Sequence, residues 1–137
     1  MAKIHFKYGA MNSGKSDTLI KTAYNYKERG LKILVIKPQV DTKSDTVVAR
    51  GGHTCKVDIL AENSTDLREK IKKYEDIACI LVDEAQFLTE EQISQLYRCA
   101  KIDNISVICF GLRADFRAEM FPGSKRLFEI ADNIEKL

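Results

Sequence analysis

The chain lacks any apolar run approaching the roughly 20 residues that a bilayer-spanning helix needs. Its first residues pass straight into a strand-like segment instead of a cleavable signal peptide. No membrane partner and a cytoplasmic location are therefore expected. A strong charge of either sign is also missing, since 22 Lys and Arg stand against 20 Asp and Glu for a net charge of +2. That balance argues against a dedicated nucleic-acid binder, which needs a basic surface for its phosphate contacts. Cysteine is sparse: Cys55, Cys79, Cys99 and Cys109 form no C-x-x-C pair. The usual spacing of a zinc site is thus absent, and reduced, mostly buried thiols are the expectation. His53 and Cys55 make an isolated H-x-C, a weak metal motif, and His5 reads as a strand-face residue. No internal repeat or low-complexity tract interrupts the sequence. What remains, 137 residues at 45% hydrophobic and 31% charged, is an ordinary globular composition with enough chain for one core.

Four short apolar runs, Ile4 to Tyr8, Ile33 to Ile36, Cys79 to Val82 and Ser106 to Phe110, read as buried parallel strands. Helical stripes lie between them. Leu19, Ile20, Ala23 and Tyr24 belong to a helix running to a C-cap at Gly30; Leu67, Ile71 and Tyr74 form a second stripe. Ile93, Leu96, Tyr97 and Ala100 form a third, opened by a Thr89 and Gln92 capping box. Strands alternating with amphipathic helices predict an α/β, doubly wound sheet whose ligands gather beyond the carboxyl ends of the strands. Gly9, Lys37, Asp83 and Gly111 fall there. Residues 41–63 fit the alternation poorly; with Gly51-Gly52 and only Thr54 to Ile59 strand-like, they predict a hairpin or flap. Asn133 to Leu137 read either as a further strand or as a helix end.

The loop between the first strand and the first helix carries chemistry. Gly9-Ala10-Met11-Asn12-Ser13-Gly14-Lys15-Ser16 fits the pattern G-x-x-x-x-G-K-S at every fixed position. Glycines at 9 and 14 allow backbone N–H groups to turn inward around a polyphosphate. Lys15 then places an ammonium near the β and γ phosphates, and the Ser16 hydroxyl ligates magnesium at the positive end of the helix. Residues 9–16 are accordingly expected to bind ATP. Cys79 to Val82, followed by Asp83-Glu84, is the acidic strand end that accompanies such a loop. Asp83 is expected to hold magnesium through its water shell. Glu84 points opposite to Asp83 and is placed to take a proton from an attacking hydroxyl or water. These parts alone leave the acceptor open: a kinase, a RecA-like ATPase coupled to nucleic acid, and a catalytically silent nucleotide-binding module all fit them.

Three stretches carry a resemblance. Met11 to Ser16, Asp83-Glu84-Ala85-Gln86-Phe87 and, above all, Gly111-Leu112-Arg113-Ala114-Asp115-Phe116-Arg117-Ala118-Glu119-Met120-Phe121 resemble the type II thymidine kinases, in order, over essentially the whole chain. The resemblance implies a P-loop, RecA-like fold, ATP and Mg2+ as cofactors, and thymidine or deoxyuridine as the nucleoside phosphorylated on its 5′-hydroxyl in thymidine salvage. It makes Glu84 the base. Met11, Phe87, Leu112, Phe116 and Phe121 become apolar and aromatic walls around the thymine ring. Asp115 and Arg117 would sit beside the phosphates or support the loop, with Arg117 offsetting charge on the transferred group. Lys37-Pro38 and Asp41 resemble a K-P-x-x-D stretch leading into a flap. Lys43 stands where the family often has Arg, keeping the charge without bidentate geometry. Asp17 replaces a common Thr where a helix N-terminus accommodates an acid. A homotetramer and inhibition by thymidine triphosphate are implied as well. The family's zinc-binding segment, with paired C-x-x-C motifs, and its lasso over thymine would follow the position of Leu137. Residues 1–137 are therefore expected to be the nucleotide-binding kinase domain without the zinc ligands, either as a truncated form or as one that binds thymidine weakly.

Overall fold

The four apolar runs form the middle of one parallel sheet, because strands buried on both faces need apolar side chains at every position and not at alternate ones. The computed structural model describes residues 2–10, 14–39, 46–48, 53–115 and 117–137. In chain order the elements are β1 (Ile4–Tyr8), α1 (Lys15–Glu28), β2 (Lys32–Pro38), β3 (Thr46–Val48), β4 (Thr54–Lys56), β5 (Ile59–Ala61), α2 (Leu67–Ile71), β6 (Ile77–Val82), α3 (Glu90–Lys101), β7 (Ser106–Gly111), α4 (Pro122–Ile130) and β8 (Asn133–Lys136). A short 3-10 turn, Ala85–Phe87, follows β6. The main sheet runs β5-β2-β6-β7-β1-β8 with every pairing parallel. The strand feeding the glycine-rich loop is thus separated from the acidic strand by β7 alone.

Alternation along the strands divides the core. Ile4, Phe6, Leu34, Ile36, Ile80, Val82, Val107 and Cys109 face α2, α3 and α4, packing with Leu67, Ile93, Leu96 and Leu127. Val35, Cys79, Leu81 and Phe110 face the other way, against Leu19 and Ala23 of α1 and Val47 and Cys55 of the hairpin. The hairpin expected within 41–63 is β3 paired antiparallel with β4. The stretch Thr54 to Ile59 is not one strand, however: after β4 the chain turns, and β5 joins the main sheet beside β2. Asp58 fixes that turn, its carboxylate accepting from Val35 N–H at 2.8 Å while its own N–H donates to Val35 C=O at 2.8 Å. Asn133 to Lys136 resolve as strand β8, paired to β1.

Helix boundaries follow their caps. Thr89 and Gln92 form the expected capping box, with reciprocal bonds of 3.0 and 3.1 Å. Gln92 is buried yet satisfied, since its Nε2 also reaches the carbonyls of Glu62 and Thr65 at 2.7 and 3.1 Å. At the end of α1 the C-cap is Arg29, and Gly30 lies one position beyond it with φ 72°. Gly30 N–H bonds Lys27 C=O and Leu31 N–H bonds Tyr26 C=O, a Schellman closure that needs a left-handed residue. Three expected stripe residues point outward: Tyr24, Tyr74 and Tyr97 are 62, 42 and 37% exposed. Tyr74 lies beyond α2, which ends at Ile71. Tyr24 and Tyr97 each sit one step around the helix from a buried residue, Ala23 and Leu96, so the sheet covers a narrower stripe. Among the described residues, no helix is long and apolar enough to cross a membrane.

Arg68 of α2 grips Asp103 with a two-pronged contact, Nε to Oδ2 at 2.9 Å and Nη2 to Oδ1 at 2.8 Å. This hydrogen bond holds the Asp103 carboxyl below the usual carboxylate range. A depressed acid contributes stability above its unfolded value of about 3.9 and loses it as pH falls through the native one. Asp103→Asn is therefore expected to flatten the acid limb of a melting-temperature profile below about pH 4, and superimposable limbs would sink the assignment.

Candidate active site

The loop after β1 is tied at both ends. Gly9, buried, donates its N–H to Gly111 C=O at 3.2 Å, joining the loop's start to the end of β7. Gly14 adopts φ 85°, ψ 19°, and a Cβ there would touch nothing within 4 Å. Glycine is needed at this position for its torsion rather than for space. Thr18 returns two bonds to Gly14 C=O, from N–H at 3.0 Å and Oγ1 at 2.9 Å, closing the first turn of α1. The Lys15 ammonium folds back over the loop to Ala10 C=O at 2.7 Å. Partial burial lowers its pKa, against the opposing pull of Asp83 and Glu84. Ser16 is half-buried one residue into the helix. Met11, Asn12 and Ser13 lie outside the described residues, as do Asp41, Lys43 and Phe116.

Asp83 directly follows the last residue of β6, Val82, and is 7% exposed. Burial, then the neighbouring Glu84, pushes its carboxyl up to about 6, while Lys37, the Glu84 N–H and Lys15 pull it down. Lys37, expected at the ligand-gathering end of its strand but given no role there, is buried at 9% exposure at the end of β2. The register explains why the two meet. Ile36 pairs with Val82 and both face α3, so the next residues, Lys37 and Asp83, turn to the α1 side where Lys15 begins its helix. Glu84 sits in the left-handed region, φ 51°, ψ 43°, with its N–H on Asp83 Oδ1 at 3.0 Å. For a residue other than glycine that conformation costs on the order of 1–3 kcal/mol and clusters at functional sites.

The segment after β7 packs against the turn that follows Glu84. Phe87 and Phe121 meet edge-to-face, ring centroids 5.4 Å apart at 76°. Leu112 and Phe121 help to line an open cavity of about 490 Å³ that also touches Gly9, Ala10, Arg113 and Asp115. The cavity thus joins two of the expected wall residues, Leu112 and Phe121, to the first two residues of the loop, while Phe87, Lys15 and Ser16 lie outside its lining. Asp115 ties its own loop, accepting from the N–H groups of Arg117 and Glu119 at 2.8 and 3.1 Å. Desolvation raises its carboxyl, but those bonds and the Arg117 guanidinium outweigh it and leave the pKa lowered. The Arg117 side chain is 63% exposed and lies 3.4 Å from Asp115 Oδ2, a placement that supports the loop.

Helix α4 closes the back of the site. A Cβ at Gly123 would collide with Ala85 C=O and lie 2.9 Å from Leu88 C=O, so glycine is required there by close approach. Gly123→Ala is expected to cost about 1–3 kcal/mol by overpacking, seen as a lower urea midpoint. An unchanged midpoint would contradict the contact.

Oxygen donors at Ser16 and Asp83 suit a hard cation. Among the described residues no group of three His, Cys, Asp or Glu converges on a point; magnesium characteristically takes one or two protein oxygens and completes its shell with phosphate and water. The cysteines do not fit zinc. All four are free and buried, burial pushes Cys79 and Cys99 up to about 11 and about 12, and Cys79 and Cys109 lie on opposite sheet faces.

A parallel sheet with a G-x-x-x-x-G-K-S loop at one strand end and a buried aspartate two strands away defines a phosphate-loop nucleotide-binding protein. The solved structure of the Pif1 helicase from Candida albicans shares this fold. Its TM-score is 0.59 at 14% identity, covering 99% of this chain and 36% of the helicase chain, a likeness of architecture alone. The family described as "Thymidine kinase" matches residues 2–137. The thymidine kinase of Enterobacteria phage T4 is 45% identical over all of this chain and 73% of its own length. That of Mannheimia succiniciproducens is 44% identical, over all of this chain and 72% of its own length. The chain belongs to the thymidine kinase family, whose members use ATP.

Proposed function

We propose that the chain transfers the γ-phosphoryl group of ATP to the 5′-hydroxyl of thymidine or deoxyuridine, as a cytoplasmic enzyme of nucleoside salvage. Family membership supports the reaction and nucleoside substrate. The observation that joins the loop to the acceptor segment is one cavity bordered both by Gly9 and Ala10 and by Leu112 and Phe121. In this reading residues 9–16 cradle the triphosphate through backbone N–H groups. Lys15 exchanges its bond to Ala10 for phosphate oxygens. Ser16 and Asp83 would hold magnesium, which supplies charge neutralisation on the phosphate oxygens when bound. Glu84 accepts the proton of the 5′-hydroxyl. Phe87, Leu112 and Phe121 hold the pyrimidine, together with Met11 and Phe116 by family analogy, and Arg117 offsets charge on the transferred group. Residues 1–137 serve as the nucleotide-binding kinase domain, and a homotetramer completes the proposal.

The test is ADP formation with and without thymidine. Thymidine-dependent ADP with matching thymidine monophosphate supports the kinase. Thymidine-independent phosphate release would instead support an ATPase, and nucleotide binding without turnover a silent module.

A further inference from the structure

Leu112 is held by both of its peptide groups, and each holder is a buried polar side chain. Its N–H donates to Gln86 Oε1 at 3.1 Å, and its carbonyl accepts from the Ser124 hydroxyl. Gln86 is 2% exposed and Ser124 is fully buried. Their neighbours Ala85, Leu88 and Leu127 are apolar core residues. Packing alone would be served as well by apolar residues of the same shape, because an internal hydrogen bond contributes little net stability while an unmade one is costly. The two side chains come from different elements. Gln86 lies two residues after Glu84 in the 3-10 turn, and Ser124 lies in α4 three residues after Phe121. The fit leaves no slack: a Cβ at Gly111 would stand 2.5 Å from Gln86 Oε1 and 3.1 Å from Gln86 N. Glu84, Leu112 and Phe121 are thus linked through one backbone clamp.

We propose that Gln86 and Ser124 are positioning residues that hold Leu112 in register with Glu84, so that a nucleoside resting on Leu112 and Phe121 presents its hydroxyl to the base. The inference rests on the reading of Glu84 as base and of the 111–121 segment as the acceptor wall. Neither clamp residue touches the reacting atoms. Their effect is geometric, and a misplacement of about 1 Å between reacting groups costs on the order of 100-fold in rate.

The test uses the full chain with Gln86→Leu, which removes the acceptor at nearly constant volume, and Ser124→Ala, which removes the donor. Five quantities are measured: kcat and KM for thymidine, KM for ATP, ADP affinity by calorimetry, and exchange of the Leu112 amide. Gln86→Leu is expected to lower kcat/KM for thymidine by roughly 10- to 100-fold and to speed Leu112 exchange, with ADP affinity unchanged. Ser124→Ala should move the same quantities in the same direction by less. Full thymidine kcat/KM in both variants overturns the proposal. So does a loss that merely follows the folded fraction, with both KM values unmoved. If Gln86→Leu does not fold, Ser124→Ala decides alone by the same criteria. Failure of the unsubstituted chain to phosphorylate thymidine overturns the underlying functional reading instead, and that arm is read separately.

Discussion

Glu84→Gln is expected to lower kcat for phosphoryl transfer by about 10²- to 10⁴-fold, the range that a positioned general base contributes. Nucleotide affinity should stay nearly the same. The substitution keeps side-chain length and shape and removes only the proton acceptor. It also leaves the backbone problem unaltered, since Glu84 occupies the left-handed region at φ 51° and Gln meets the same steric terms there as Glu. The neighbouring charge changes in a favourable sense. Burial is the main reason the Asp83 carboxyl is raised, and Glu84 is the second, so neutralising Glu84 makes Asp83 easier to ionise and the cation site no weaker. Three measurements check this: steady-state kcat with saturating thymidine, ADP affinity by calorimetry, and the unfolding midpoint. Loss of kcat with the other two unchanged is the expected pattern. Full turnover in the variant would falsify the base assignment, and a lost midpoint would assign Glu84 to the fold.

The parts of this site that were legible in the sequence are those where chemistry dictates residue types at close spacing. Gly9, Gly14, Lys15 and Ser16 announce a phosphate loop because a left-handed turn, an ammonium and a hydroxyl must follow in that order. Asp83 and Glu84 stand at the end of an uninterrupted apolar run, which marks a strand buried on both faces. Edge elements gave no such signal. All four residues of β8 are exposed. The strand exists because β1 offers it an edge and because Asp132 bonds Ile4 N–H at 2.9 Å and Lys101 Nζ at 2.6 Å, contacts between residues far apart in the chain. Helix α4 was not among the expected helices, although Pro122 at its first turn is a recognised start signal. Gln86 was legible only as part of a motif, and Lys37 as a strand-end residue with no assigned role. Their importance lies in burial beside Asp83 and over Gly111, and burial of a single polar residue depends on which strands become neighbours. The order β2-β6-β7, not the local spacing, brings these side chains to the site.

Lys15→Met is expected to reduce kcat by about 10²- to 10³-fold, the scale of removing one preorganised electrostatic group from a transition state. Unlike Glu84→Gln, it should also weaken ADP and ATP affinity. Lys15 Nζ bonds Ala10 C=O at 2.7 Å, so in the free protein the ammonium is already held at the start of the loop. Methionine fills similar space with no donor and no charge. The fold should tolerate it, because the ammonium itself is disfavoured by partial burial and its removal relieves that penalty, against loss of the bond to Ala10 C=O. The unfolding midpoint is accordingly expected to move little. Lys15→Arg should not restore activity: its planar guanidinium keeps the charge but cannot place a compact ammonium in the same turn. Calorimetry with ADP and single-turnover transfer to thymidine measure the two effects separately. Near-native affinity in Lys15→Met would remove the loop from the nucleotide site. Weak binding in Lys15→Met beside intact binding in Glu84→Gln would separate the two roles, with the phosphate grip at Gly9 to Ser16 and proton acceptance just after β6.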